Sequence, residues 1–119
     1  MKPLVAYRME MTDLAREKCV PCRGGEPPMK GRLLKELEEE LGNGWQVIVE
    51  HHLEKEFDFP DFASGLAFVN KVGALAEEEG HHPDVFLAWG KVRITIYTHK
   101  VDGVTRSDFI LAAKIDQLK

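Results

Sequence analysis

Three of the chain's five histidines fall within one run, EEEGHHPDVFLAWGKVRITIYTHK, from Glu77 to Lys100. His81 and His82 are adjacent and stand directly before Pro83, and His99 closes an alternating apolar stretch. Imidazole exchanges protons near neutral pH and is the commonest metal ligand among side chains, so the group offers two chemistries. In the first, the rings move protons without metal, a charged ring acting as acid and a neutral one as base. In the second, three histidines hold zinc with an open position. The spacing fits neither H-E-x-x-H nor H-x-H, however, and adjacent histidines rarely face one ion. A third reading is structural: His81 and His82 form a polar helix end, and His99 is a surface residue at a strand end. Spacing alone leaves all three open. Glu77 lies one turn before His81, where its carboxylate could orient an imidazole or favour the charged ring.

These residues depend on the elements around them. Pro83 disfavours the helical conformation at His82, and Gly80 ends the preceding helix, so the pair sits in a short, stiff connection. DVFLAW and VRITIYTH, joined by Gly90-Lys91, read as a hairpin. That pairing sets Asp84 near Thr98 and brings His99 close to His81 and His82. Val92, Ile94, Ile96 and Thr98 share one face of the second strand, and Arg93, Thr95, Tyr97 and His99 share the other. A half-polar second face implies an antiparallel sheet with helices on one side only.

Upstream, MKGRLLKELEEELG carries Leu33, Leu34, Leu37 and Leu41 as a helical stripe, stopped by Gly42-Asn43-Gly44. WQVIVE and HHLEKEFDF follow as a strand pair, with Trp45, Val47 and Val49 on one face of the first and Leu53, Phe57 and Phe59 the apolar members of the second. Pro60-Asp61 opens the longest helix, with Asp61 as N-cap or first-turn acid, and its predicted stripe is Phe62, Leu66, Val69, Val72 or Gly73, and Ala76. Glu77, Glu78 and Glu79 crowd the last turn of that helix, where its dipole disfavours negative charge, and that conflict asks for a reason. Asp102-Gly103 makes a turn, and Thr105 caps a last helix burying Leu111, Ile115 and Leu118. The fold class is α+β: a four-stranded antiparallel sheet with three helices packed on one face, in the order α-β-β-α-β-β-α. Residues 1–28 read as an N-terminal arm, ended by the breaker cluster RGGEPP, and 29–119 as a single domain.

Composition limits the function classes. The 119 residues are 44% hydrophobic and 30% charged, with 16 basic against 20 acidic residues and a net charge of −4. Phosphate binding needs clustered Lys and Arg, and no dense basic block occurs, so no nucleic-acid partner is expected. No apolar run approaches the roughly 18–20 residues of a bilayer span. MKPLVAYRMEM is broken by Arg8 and Glu10 and does not read as a secretory signal, so cytoplasmic residence is expected. Cys19 and Cys22 form a C-x-x-C in the arm. A pair without chemistry, a structural metal or local disulfide, and redox use all stay open. No second C-x-x-C exists, and His51 and His52 could complete a zinc site only if the fold brings them close.

The run E-x-x-x-H-H-P from Glu77 to Pro83 continues through Trp89, KVRITIYTH, and T-H-x-x-x-G-V-T-x-x-D from Thr98 to Asp108. Gly44-Trp45 and the F-x-F-x-x-F pattern of Phe57, Phe59 and Phe62, leading into LAFVNKV, extend it. Over residues 30–117 the chain resembles the pterin-4a-carbinolamine dehydratases, and KCVPC resembles the arm of many bacterial members. The resemblance implies dehydration of 4a-hydroxytetrahydropterin to quinonoid dihydropterin, in tetrahydropterin recycling, with no metal and no organic cofactor. It implies catalytic roles for His81, His82 and His99, supported by Glu77 and Asp108. Asp108 also stands three residues after Thr105, the spacing of a helix capping box, and the two roles are compatible. Trp89 and Tyr97 are candidate pocket walls, against the plainer reading of aromatics on a strand as core or interface. The chain has Val85 where animal members carry an aromatic. The resemblance also implies a homodimer or dimer of dimers. The alternative it carries is a non-catalytic accessory or dimerisation module for a partner such as an aromatic amino acid hydroxylase.

Overall fold

The computed structural model describes residues 9–20 and 27–119. Its elements are α1 (Met9–Arg16), α2 (Gly31–Leu41), β1 (Gln46–Ile48), β2 (His52–Asp58), α3 (Phe62–Glu79), β3 (Asp84–Ala88), β4 (Lys91–Ile96) and α4 (Arg106–Asp116). The strands form one antiparallel sheet in the order β1-β2-β4-β3. The α+β class and the order of α2 to α4 are as expected; α1, within the arm, is an additional helix. It packs on α4 and buries Leu14 and Ala15. That cover explains why α4 is buried from Ser107 through Ala113, all round and not along one stripe.

Strand β4 follows its alternation. Val92, Ile94 and Ile96 are fully buried, and Arg93 and Thr95 are half-buried on the opposite face. Elsewhere the phase of the pattern differs from expectation. On α3 the buried line is Gly65, Phe68, Val72 and Ala76, while Phe62 and Leu66 are exposed. Gly65 decides this: a Cβ there would stand 3.2 Å from Leu87 Cδ1, so the missing side chain lets α3 lie close on the sheet. Phe68 then reaches Phe57 and Phe59, with ring centroids 4.8 and 5.2 Å apart. Leu33 on α2 is exposed, and so is Val49, which lies in the β1–β2 turn. In that turn Val49 and Glu50 both hold positive φ (43° and 56°), and the His51 N–H closes it by donating to Ile48 O at 2.8 Å. Two such residues without glycine give no turn signature to read.

The β3–β4 hairpin turns at Trp89-Gly90, one residue earlier than expected, so Asp84 pairs with Thr95 and not with Thr98. The chain after β4 runs on past the end of β3, and Thr98 bridges Gly103 across the next turn. Gly103 itself is packed against the arm's exit: a Cβ there would fall 2.4 Å from Pro28 Cβ. Gly103→Ala is expected to cost about 1–3 kcal/mol by overpacking. A urea midpoint lowered at constant m-value checks it; an unchanged midpoint contradicts the packing.

Candidate active site

Gly80 adopts the left-handed conformation (φ 67°) that ends α3, and the N–H groups of Gly80 and His81 both donate to Ala76 O. This cap throws His81 and His82 out beside the end of α3. His81 Nε2 lies 2.5 Å from Asp108 Oδ1, and His82 Nε2 lies 2.6 Å from Glu77 Oε2. Facing an ionised carboxylate, which only accepts, Nε2 is the donor of each pair, and that arrangement leaves Nδ1 as the nitrogen to act. The two pairs differ in setting. Asp108 is fully buried, whereas the His82 and Glu77 side chains are 59% and 79% exposed.

Asp108 does two jobs at once. Its Oδ2 accepts from the Thr105 N–H at 2.7 Å, closing the capping box of α4, and from Thr98 Oγ1 at 2.8 Å. Its Oδ1 faces His81. The helix cap therefore fixes the carboxylate that fixes the ring. His99 is held differently, by stacking on Tyr97 with centroids 4.3 Å apart; Tyr97 in turn lies 4.6 Å from His51. His51 contacts His52 (Nδ1···Nδ1 3.1 Å) and Asp102 (2.8 Å).

His81, His82 and His99 line one cavity of about 270 Å³ with Cys19, Val20, Glu79, Gly80, Thr98 and Lys100. All three sequence-selected rings are brought together there, and Glu77 and Asp108 stand behind two of them. Trp89 and Tyr97 are not among the lining residues: Trp89 is exposed at the far hairpin, and Tyr97 touches the site only through His99. Cys19 contacts Glu79 and Ser107, the His51–His52 pair contacts Asp102 and Tyr97, and Cys22 lies outside the described residues. Among the described residues no group of three His, Cys, Asp or Glu side chains is arranged to hold a metal ion.

The acidic end of α3 now has its reason. Glu77 pairs with His82, and Glu79, only 7% exposed, accepts from the Cys19 N–H at 3.1 Å and lies 3.7 Å from Lys114 Nζ. Sequence reasoning missed Glu79 and the arm residues it holds; the acidic run against the helix dipole was the one signal. Burial alone would raise the Glu79 pKa, but the Cys19 N–H and the Lys114 charge outweigh it and hold the carboxyl below its usual 4.5. The Arg106 hydrogen bonds do the same for Glu17. A carboxyl depressed in the folded state stabilises above its unfolded pKa, and that contribution is lost as pH falls through the folded value. The Glu79 contacts should contribute about 1–3 kcal/mol and the Glu17–Arg106 pair, 38% exposed at Glu17, less than about 1. The amide NMR signals of Cys19 and Val20 are therefore expected to move as pH falls below 4.5, while those of β4 stay. An arm signal that stays unchanged until β4 itself unfolds contradicts this.

Residues 28–118 match the family described as Pterin 4 alpha carbinolamine dehydratase. The chain belongs to that family. A Rubrobacter xylanophilus protein provisionally named as a pterin-4-alpha-carbinolamine dehydratase is 54% identical over 91% of this chain and 100% of its own length. A second, from Alkaliphilus metalliredigens and named in the same way, is 50% identical over 90% of this chain and 96% of its own. Among solved structures, a Brucella melitensis protein described as a transcriptional coactivator/pterin dehydratase superposes with a TM-score of 0.71 at 29% identity, covering 76% of this chain and 97% of that one. A pterin dehydratase-like protein described as a RuBisCO assembly factor in the alpha-carboxysome gives a TM-score of 0.56 at 28% identity, over 64% and 89% of the two chains. The family match thus spans the sheet, α2 to α4 and the three histidines, and leaves Cys19 and Val20 outside it. No described helix is long and apolar enough to cross a membrane.

Proposed function

We propose that this chain dehydrates 4a-hydroxytetrahydropterin to quinonoid dihydropterin by proton transfer between histidines, without a metal or organic cofactor. One observation carries the reading: three imidazoles line a single cavity, two of them tied to carboxylates. Hydroxide is a poor leaving group, so an imidazolium must give its proton to the 4a-oxygen as the C4a–O bond breaks. A neutral imidazole takes a ring N–H proton, the freed electron pair completes the new double bond, and water departs. His81, His82 and His99 supply these roles. Asp108 and Glu77 fix the tautomer of two rings, so that a nitrogen of known identity meets the substrate. The test is to generate the carbinolamine enzymatically, add the purified protein and follow absorbance with time. A faster approach to the quinonoid product supports the reading; a wild-type rate equal to that without protein removes it.

A second reading has its own support, since one structural neighbour is described as an assembly factor. Under it the chain is an accessory or dimerisation module, for a partner such as an aromatic amino acid hydroxylase, and the rings are idle. Self-association fits either reading. Edge strand β3 leaves Val85 exposed on the helix side and Phe86 exposed on the open side, and an unpaired edge favours pairing with a second copy. We expect a homodimer, or a dimer of dimers, on sedimentation; a stable monomer contradicts it.

A further inference from the structure

We propose that the arm stretch Cys19–Val20 is a built wall of the histidine cavity, held in place by Glu79 and Ser107 as positioning residues, and that it sets how tightly substrate is held. The substrate part rests on the dehydratase reading above. Both arm residues line the cavity beside His81, His82 and His99. Their main chain is fixed at both ends of the stretch. The Cys19 N–H donates to Glu79 Oε1 at 3.1 Å and the Val20 N–H to Ser107 Oγ at 2.9 Å; Ser107 Oγ in turn donates to Val20 O at 3.2 Å. The Cys19 thiol points back to Ser107 O at 3.6 Å.

Just upstream, Arg106 donates to both Glu17 oxygens at 2.9 and 2.6 Å, and Leu14 is fully buried against the core. A connecting segment usually leaves its polar backbone to water. This one spends two nearly buried side chains on it, Ser107 at 8% and Glu79 at 7% exposure. Those anchors interleave with the residues that hold the rings. Glu79 stands two positions after Glu77, and Ser107 stands next to Asp108. One scaffold therefore sets both the rings and the wall opposite them.

The wall offers no nucleophile at Cys19. Burial first, then the Glu79 charge, pushes that thiol up to about 12, so it stays neutral at working pH. Its part is shape: Val20, itself 69% exposed, adds contact surface to the lining of the cavity.

The experiment uses the full chain carrying Ser107→Ala, and separately Glu17→Gln with Ser107→Ala, each checked for an unchanged thermal midpoint of the core. Hydrogen exchange reports whether Val20 is released. The expected result is faster exchange at Val20 with KM for the carbinolamine raised roughly 3- to 10-fold and kcat within about 2-fold, the pattern of lost binding contacts. Released Val20 with KM and kcat both unchanged overturns the proposal, and so does a wild-type Val20 amide with no protection at all. A wild type inert as a dehydratase removes the pterin reading alone. The wall is then read from ring-proton NMR: shifts at His81 and His99 on arm release support it, and unmoved rings overturn it.

Discussion

Replacing His82 with alanine is expected to lower kcat for carbinolamine dehydration by roughly 10²- to 10⁴-fold, the usual worth of a positioned acid or base. Stability should stay within about 0.5 kcal/mol, because substitutions of exposed residues rarely matter to folding. The two halves of this expectation separate the readings. His82 is 59% exposed and paired with a carboxylate that is 79% exposed. An ion pair so open to solvent contributes little to folding, about 1 kcal/mol at most. If the pair is merely a polar helix end, its removal changes nothing measurable. Steady-state kinetics with a denaturation curve on the same sample checks both halves, and Glu77→Gln should lose about 10-fold through misorientation of the ring. Equal acceleration by wild type and His82→Ala would leave the accessory reading in possession of the fold.

Asp108→Ala should act on stability first, by about 3–5 kcal/mol, the cost of removing one member of a buried, hydrogen-bonded charged network. That is a large share of the roughly 5–15 kcal/mol that holds a small domain together. The carboxylate is fully buried and serves three partners: the Thr105 N–H, Thr98 Oγ1 and His81 Nε2. Alanine leaves all three facing a space no other side chain fills, and it removes the α4 cap as well. Asp108→Asn keeps the volume and should fold better. Its amide can donate to Nε2, however, and so favours the opposite ring tautomer. We expect that variant to lose activity out of proportion to its stability, at least about 10-fold in kcat. Paired urea titrations and kinetics read this out; an Asn variant with full activity would assign Asp108 to the helix cap alone.

What could be read in the sequence was whatever a short window specifies. The alternation of Val92, Ile94 and Ile96 fixed a strand and its buried side. The capping box placed Thr105 at the start of α4, and Gly80 and Pro83 marked the bend that presents the histidines. Misplaced features depended on contacts far along the chain. Helix α3 is apolar over a broad arc, so its spacing did not select Phe68 over Phe62 or Leu66; a close approach at Gly65 did. Val49 continued the strand pattern although it lies in a turn. The arm helix spans only eight residues and was read as part of the arm, and Leu14 is buried because α4 is there to cover.

The candidate site divides in the same way. The rings and their carboxylates sit in two short stretches, 77–82 and 98–108; residue type and spacing singled out the rings and Glu77, and the family resemblance added Asp108. The cavity's other wall comes from Cys19 and Val20, joined to Ser107 across 87 or more positions, and no local pattern announces such a pairing.

The most direct measurement is a crystal structure of the protein soaked with a stable dihydropterin. The expected result is a pterin ring in the cavity within about 3.2 Å of a ring nitrogen of His81, His82 or His99, with the Asp108–His81 and Glu77–His82 pairs kept. A pterin bound elsewhere, or a cation gripping the histidines in its place, would contradict the account.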